Sequence, residues 1–339
     1  MGFKGGLDRD LRLVRRTTLS AGNSIPYFYS TESRYNVSNM CASPIYLSAS
    51  TDAVDASLVT KDFAIKSSAL GKGIPLSRVA GIGDSANDLP FLRISGLGLV
   101  GAPSNAQTAV KQALKAIRGA YLSPKSFFEG FLDFYSRCTD QGIELVFTDR
   151  DGVLIWNENG AAKAVLRPLL ELMGQDGRPF IIILTGSSYE QNVDFMRHYQ
   201  LNAGLGVNPR IRENPYIIYA ENGAVQIDIL GGSSRNYAAD LDSTLLGTLT
   251  HAFLHSLLHR IREKVLPAFQ LGLSEDRSDQ HSKLYLPPKR TMVTVNLPRS
   301  HLRLEDYRQS PESDTLRQAL LQEMVLTAQE LHLPYEVLT

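Results

Sequence analysis

The stretch GIGDSANDLP, residues 81–90, decides the fold of this chain. It places two carboxylates in a glycine-containing loop after an apolar run, residues 78–82, that has the composition of a buried strand. A second stretch, VFTDRDGVL at residues 146–154, repeats this design with Asp149 and Asp151. Ligands bind at the carboxyl ends of parallel strands in α/β sheets, so both loops are candidates for one ligand site.

The carboxylates of the two loops indicate a metal ion. Asp84 and Asp88 belong to the first loop, and Asp149 and Asp151 to the second. Four clustered carboxylates without a cation would repel one another strongly. Mg²⁺, which prefers oxygen ligands, removes that repulsion and commonly brings a phosphate with it. We therefore expect these four residues to hold Mg²⁺ and the substrate to be a small phosphorylated metabolite.

Three motifs and a lysine resemble the haloacid dehalogenase superfamily of phosphotransferases. The family's first motif, Asp-x-Asp-Gly-(Val/Thr)-Leu, matches residues 149–154, and its second, an apolar strand ending in Thr or Ser, matches residues 181–186. Its third is a lysine, and its fourth, Gly-Asp-x-x-x-Asp, matches residues 83–88. The resemblance covers about residues 60–228. It implies a doubly wound parallel sheet, an α/β core of the same type as that family's.

The order of the motifs differs from that of the family. The family runs one, two, three, four, whereas this chain runs three, four, one, two. Residues 25–31, IPYFYST, also resemble residues 333–339, LPYEVLT, as duplication followed by trimming at both ends would produce, although so short a match can arise by coincidence. We interpret the order as a permuted single core. The alternative, the tail of one unit joined to the head of another, stays open.

The resemblance assigns catalytic roles to the first motif. Asp149 would be the nucleophile that attacks phosphorus, and Asp151 would protonate the leaving oxygen and later activate water. Aspartyl-phosphate formation is an established form of covalent catalysis, and a second carboxylate can transfer the protons. Read alone, Asp-x-Asp-Gly is also a common turn, and Asn87 and Asp88 could simply cap the next helix.

Phosphate binding would fall to the second and third motifs. Thr185 offers a hydroxyl and Gly186 a backbone N–H at the mouth of a helix, which suits a phosphate oxygen, although a helix cap would use the same residues. The resemblance places a lysine beside the nucleophile and the phosphate. We assign that lysine to Lys66, with Lys61 as a rival.

Composition fits a soluble, cytoplasmic enzyme. The chain has 339 residues, and its 35 Lys and Arg balance 35 Asp and Glu, so its net charge does not favour nucleic acid or an anionic membrane. Its two cysteines, Cys41 and Cys138, lie far apart, which argues against a disulfide scaffold. The basic N-terminal segment lacks the apolar core of a secretory signal, and no apolar run is long enough to span a membrane.

Alternating strand and helix patterns suggest an α/β protein of four parts. Residues 56–137 and 138–229 form the two halves of the core, and residues 230–339 form a smaller α/β cap. Residues 1–55 are a cap-like segment beside that cap. Residues 216–228 read as a hairpin with an Asn-Gly turn.

Specificity would come from the cap, because the core loops contact only phosphate and metal. Lys289 and Arg290, next to a strand at 291–296, are our candidates for substrate contacts. A solvated turn after Pro287-Pro288 explains the same two residues equally well. The sequence thus predicts Mg²⁺-dependent hydrolysis of a small phosphomonoester, with a sugar phosphate as the expected substrate. A phosphomutase with the same aspartyl-phosphate, or a non-catalytic remnant of two incomplete units, are the alternatives.

Two further patterns imitate functional sites. Gly96-x-Gly98-x-x-Gly101 has the spacing of a dinucleotide fingerprint but does not join a first strand to a helix, so tight turns explain it better. His251, His255 and His259 share one face of a predicted helix. No carboxylate or cysteine nearby completes a zinc site, and we expect an ordinary helix face there.

Overall fold

The structure is a computed structural model of an α/β protein with two sheets. It describes residues 44–50, 52–155, 171–172, 175, 177–198, 209–230, 232–237, 243–303, 308–309 and 311–338. The expected helix over 161–173, the N-terminal copy of the repeated heptapeptide and Cys41 lie largely or wholly outside these residues. No helix in the described ranges combines the length and the apolar character needed to cross a bilayer.

The strands in chain order are β1 Ile45–Ala49, β2 Ala53–Ser57, β3 Val79–Ile82, β4 Leu99–Ala102, β5 Tyr121–Leu122, β6 Leu145–Asp149, β7 Phe180–Leu184, β8 Tyr216–Ala220, β9 Val225–Asp228, β10 Ser234–Asn236, β11 Gly272–Ser274, β12 Lys283–Tyr285, β13 Met292–Asn296, β14 Leu302–Arg303, β15 Arg308–Gln309 and β16 Tyr335–Leu338. The helices are α1 Lys61–Gly71, α2 Leu89–Leu92, α3 Thr108–Lys115, α4 Phe127–Asp140, α5 Tyr189–His198, α6 Pro209–Glu213, α7 over 243–269 and α8 Pro311–Glu330.

The larger sheet forms the core, with strand order β10-β9-β8-β7-β6-β3-β4-β5. Strands β8 to β5 in this order are parallel, and β9 and β10 extend the sheet as antiparallel strands. Every residue of β6 (LVFTD) and β7 (FIIIL) is buried. Continuous burial is typical of parallel strands covered on both faces. The doubly wound α/β core predicted from the motifs is therefore confirmed, as is the hairpin β8–β9.

The two core halves belong to this one sheet. Strand β3 pairs in parallel with β6, with Ile82 opposite Thr148. The loop after β3 therefore lies beside the end of β6, as we expected if the two halves form a single core. The two acidic loops therefore follow adjacent strands of one sheet and do not lie on separate lobes.

The smaller sheet, called the cap sheet below because it contains the strands of the expected cap, has the strand order β11-β12-β13-β2-β1-β16. Helices α7 and α8 cover it with an apolar stripe: Leu249, Phe253, Leu257, Ile261 and Val265 of α7 and Leu316, Leu320 and Met324 of α8 are buried against the sheet. The apolar positions of α7 recur every four residues. The π-helical turns Thr248–Phe253 and Ile261–Val265 keep that repeat on one face.

The segment predicted to lie beside the cap is instead inside it. Strands β1 and β2 lie between β13 and β16, and β2 continues to Ser57. Non-local pairing of this kind leaves no signal in local composition. A second difference concerns Cys138, which begins the second core half in the predicted division of the chain. It is buried inside α4, and the chain turns only at Gly142, where φ is +69°.

Candidate active site

Three carboxylates meet at the carboxyl end of the core sheet. Asp149 ends β6, while Asp84 and Asp88 belong to the loop that follows β3. Carboxylate oxygens of these three residues lie within 4.8 Å of one another, and all three residues are buried. Parallel pairing of β3 with β6 produces this proximity, because both loops leave the same edge of the sheet.

A buried lysine bridges two of these carboxylates. The Nζ atom of Lys61, the first residue of α1, lies 2.6 Å from Asp88 Oδ1 and 2.6 Å from Asp149 Oδ1. Lys61 is 1% exposed. The assignment of this role to Lys66 was wrong: its side chain is 55% exposed and pairs with Asp62 one helical turn away. Lys61, the rival, occupies the position expected of the motif lysine.

The carboxylates differ in whether their oxygens have hydrogen-bond partners. Asp88 Oδ2 accepts hydrogen bonds from the backbone N–H groups of Asp84 and Ser85, at 2.8 and 3.0 Å, so Asp88 is occupied on both oxygens. Asp84 Oδ1 is buried without a hydrogen-bond partner. A buried orphan oxygen is costly unless something binds it. Asp84 and Asp149 are therefore the residues best suited to hold Mg²⁺, and this all-oxygen set fits that ion.

Burial and mutual repulsion disfavour the charged forms of these acids. Burial, reinforced by Asp88 and Asp151 and opposed by Lys61, raises the pKa of Asp149 to about 7. Burial, together with Asp149 and Asp88, raises the pKa of Asp84 well above its ordinary value. Burial alone would lower the pKa of Lys61, but the two adjacent carboxylates, Asp149 and Asp88, outweigh burial and raise it. Lys61 thus stays charged, and one further cation would match the remaining negative charge.

Two glycines allow the acidic loops to approach each other. Gly152 has a φ of +84°, and a β-carbon there would lie 2.2 Å from Asp84 Oδ2. A β-carbon on Gly83 would lie 2.5 Å from the side chain of Asp88. Any larger residue at either position would displace a carboxylate of the cluster, so steric contact explains why both motifs have glycine at these positions.

Asp151 lies apart from the three-carboxylate cluster. We expected it to be a fourth metal ligand, but its carboxylate pairs with the guanidinium of Arg150 at 2.9 Å and is 42% exposed. Among the described residues, only Asp84, Asp88 and Asp149 group closely enough to share an ion. The side chain turns instead toward Thr185, whose Oγ1 lies 3.5 Å from Asp151 Oδ2. This position suits proton transfer rather than metal binding.

The Thr185–Gly186 loop follows β7 at the same edge of the sheet. Thr185 is fully buried, and its Oγ1 accepts a hydrogen bond from the Ser187 backbone N–H at 3.1 Å. The next helix is capped by other residues: Ser188 Oγ accepts from Gln191 N at 3.1 Å, and Gln191 Oε1 accepts from Ser188 N at 2.9 Å. Because this reciprocal cap is complete without Thr185, the cap interpretation of Thr185 is unnecessary.

The two cap residues singled out by sequence behave differently. Lys289 is buried, and its Nζ donates a 2.5 Å hydrogen bond to the carbonyl of Gly186, so it reaches the core loop. Arg290 is 39% exposed; it stacks on Tyr189 and lies 3.4 Å from Glu190. Arg290 thus bridges cap and core at the surface and does not extend toward the carboxylate cluster.

The cap sheet approaches the first acidic loop near its β1–β2 turn. Burial and the charges of Asp151 and Asp55 raise the pKa of Asp52, in that turn, to about 6. Strand β1, just before this turn, packs beside the Ala86–Asp88 segment of the first acidic loop. Residues 45–49 therefore lie next to this loop, although they are outside the range 230–339 that we expected to form the cap.

The two imitating patterns have structural explanations. A β-carbon on Gly98 would lie 2.1 Å from the Ser77 carbonyl, and one on Gly101 would lie 2.6 Å from Phe134, so close packing requires both glycines. The three histidines of α7 are exposed, and His259 contacts Glu263 at 3.2 Å. Close packing thus explains Gly98 and Gly101 where we expected tight turns, and the exposed histidines agree with the expected helix face.

Several residues near the site were missed from sequence. Glu221, read as part of a turn, is fully buried in the core and accepts hydrogen bonds from the cap backbone at Arg290 and Thr291. Asp55 is a buried acid in the otherwise small and apolar strand β2. An acid inside such a strand is the signal that could have identified it.

Comparison with known proteins gives one partial match. Over 85 residues the chain is 33% identical to a phosphoglycolate phosphatase from Methanothrix thermoacetophila, which covers 25% of this chain and 35% of that protein. The matched region is thus about a third of the relative's length. No protein-family model matches the chain, and no solved structure does. Phosphoglycolate phosphatase is a name of enzymes in the haloacid dehalogenase superfamily, so the match agrees with the resemblance at that level and does not address the motif order.

Proposed function

We propose that this protein is a Mg²⁺-dependent phosphomonoester hydrolase that works through an aspartyl-phosphate. The observation that carries the proposal is the buried cluster of Asp84, Asp88 and Asp149, bridged by Lys61 at the edge of a parallel sheet. The partial likeness to a phosphatase supports the same reaction class. Mg²⁺, held by Asp84 and Asp149, would neutralise negative charge on the carboxylates and the phosphate.

Asp149 is the proposed nucleophile. Its Oδ1 is fixed by Lys61, which leaves the other carboxylate oxygen to attack phosphorus while the bond to the leaving oxygen breaks. Lys61 keeps a positive charge beside the attacking group, and Thr185 lies at the neighbouring strand end. Catalysis of phosphoryl transfer depends mainly on such positioning and charge stabilisation.

Asp151 is the proposed proton carrier. It would give its proton to the leaving oxygen and then take one from the water that hydrolyses the aspartyl-phosphate. Arg150 and Thr185 hold its side chain outside the metal cluster. Separation of the two roles between two carboxylates with different surroundings is a recurring solution for acid–base work near neutral pH.

A small substrate, with a sugar phosphate as the expected one, follows from the cover over the site. Strand β1 and the Lys289 segment of the cap sheet contact the core loops. A covered site admits a small leaving group and excludes a large one. The name of the partial relative also indicates a small phosphorylated metabolite.

Asp149→Asn tests the proposal, because it is nearly isosteric and removes the attacking charge. We expect the purified chain with Mg²⁺ to release phosphate from sugar phosphates, and the variant to lose turnover while keeping its circular dichroism spectrum. Normal activity of the variant would refute the nucleophile assignment. Isomerised rather than hydrolysed product would indicate a mutase, and absence of Mg²⁺ binding by calorimetry would indicate a non-catalytic protein.

A further inference from the structure

Gly186 lies at the junction of the core and the cap sheet, where the place that a β-carbon would occupy is left open. A β-carbon built on Gly186 would lie 3.4 Å from Asn222 Oδ1 and 3.9 Å from Asp55 Oδ2. Asn222 comes from the core and Asp55 from the cap, so one point next to the proposed phosphate loop is within reach of both. A leaving group attached to a phosphate bound at that loop would enter this space.

Asn222 is held there in the left-handed backbone conformation, which most residues avoid. Glu221 and Asn222 have consecutive positive φ values of +51° and +56°, followed by Gly223 at +96°. Residues other than glycine rarely adopt this backbone region, asparagine more readily than most, and such conformations cluster at functional sites. The backbone N–H of Asn222 donates to the Thr185 carbonyl at 3.0 Å, which fixes the turn against the phosphate loop.

The side chain of Asn222 has an unmet hydrogen bond. Asn222 is 5% exposed, and its Oδ1 is buried without a partner. A buried acceptor without a donor costs about 1–3 kcal/mol. Because this oxygen faces the space beside Gly186, a ligand group that donates a hydrogen bond would remove the penalty.

Asp55 supplies a second acceptor from the cap side. Its Oδ1 accepts from Thr294 Oγ1 and lies 3.8 Å from Lys289 Nζ, while Oδ2 is the atom nearest Gly186. The ammonium of Lys289 is already bonded to the Gly186 carbonyl and Thr294 Oγ1. The charge of Lys289 is therefore balanced by Asp55, and the oxygen acceptors dominate this space.

We propose that Asn222 and Asp55 form a hydroxyl-binding subsite that selects polyol leaving groups; this rests on the proposed phosphatase function. A hydroxyl donates a hydrogen bond to either acceptor, which the carboxylate of a glycolate leaving group cannot do. The chain should therefore prefer a polyol or sugar phosphate to phosphoglycolate, the substrate that its partial relative's name indicates.

The subsite can be probed without changing the backbone around it. Asn222→Gly removes the amide and keeps a residue that accepts positive φ. We expect it to lower kcat/KM for a hexose phosphate and for glycerol phosphate about three- to tenfold, the value of one neutral hydrogen bond, and Asp55→Asn to lower it about tenfold or more. Both variants should lose less kcat/KM for 4-nitrophenyl phosphate than for the polyol phosphates, since that leaving group has no hydroxyl to bind.

Gln270→Gly is the matched control for the glycine substitution. Gln270 has a φ of +53° at the end of α7 and is exposed, so this variant relieves similar strain away from the site. It should leave kcat/KM unchanged for every substrate. Equal losses for 4-nitrophenyl phosphate and the polyol phosphates in Asn222→Gly, or a wild-type preference for phosphoglycolate, would overturn the subsite. Wild-type protein inactive toward all of these esters would instead refute the phosphatase function itself.

Discussion

Replacing Lys61 by methionine removes the only cation that directly contacts the carboxylate cluster among the described residues. Asp88 and Asp149 would each lose a partner 2.6 Å away while staying buried. Removal of one member of a buried ion pair costs about 3–5 kcal/mol, because the remaining charge is uncompensated. We therefore expect Lys61→Met to lower the free energy of unfolding by about 3–5 kcal/mol in the metal-free protein.

Thermal unfolding with a chelator present measures this loss. At the 2–4 °C per kcal/mol typical of domains of about 150–250 residues, Tm should fall by roughly 6–20 °C. The loss should be larger at pH 8 than at pH 5.5, where protonation relieves the unpaired acids, and Mg²⁺ should recover part of it. Methionine keeps most of the side-chain volume, so packing contributes little.

Lys66→Met is the matched control on the same helix. Its ammonium is 55% exposed and pairs only with Asp62, an arrangement worth about 0.5 kcal/mol or less. The control should leave Tm within about 2 °C of wild type. A larger effect from Lys66→Met than from Lys61→Met would refute the placement of the motif lysine.

Three further predictions follow from the same cluster and its surroundings. Because the pKa of Asp149 is raised to about 7, the folded state holds a proton that the unfolded state releases. The free energy of unfolding of the metal-free protein should therefore fall as the pH rises from about 4 to 7, by at most about 4 kcal/mol. Asp149→Asn should flatten this pH dependence when Tm is measured with a chelator present. Gly152→Ala should lower stability by more than about 2 kcal/mol and weaken Mg²⁺ binding by calorimetry, because its β-carbon would meet a carboxylate oxygen; Gly142→Ala, also at positive φ but with open space around it, should cost only about 1 kcal/mol. Glu221→Gln should reduce the free energy of unfolding in urea by about 1.5–3 kcal/mol, because an amide N–H would face backbone N–H groups of the cap sheet that now donate to the carboxylate. An unchanged urea midpoint would contradict the role of Glu221 in holding the cap sheet to the core.

The core and the acidic loops could be predicted from sequence because their signals are local. Apolar runs of strand length end in Asp-containing loops, and parallel strands bring such loops to the same edge. The Asn-Gly turn likewise reports a hairpin through its own backbone requirements. The sequence therefore predicts the proximity of Asp84, Asp88 and Asp149 that the structure shows.

The lysine could not be chosen from sequence because the choice depends on helix rotation. Lys61 and Lys66 are five residues apart on α1, so their side chains leave the helix about 140° apart. Only packing decides which face meets the sheet. Asp55 was missed for a related reason: every residue of β2 is buried, so the strand lacks the alternation that would show which face each side chain occupies.

The cap sheet has a consequence for how the chain reaches its native state. Strand β1 pairs with β16, with Ile45 opposite Tyr335, whereas the core sheet is built wholly from residues 79–236. During synthesis the core strands can assemble while β1, with its apolar Leu47, still lacks a neighbour on one side. Closing a loop of that length carries an entropic cost that local pairings avoid. We therefore expect the cap to be the last part to form, and an incomplete chain to expose its edge to aggregation.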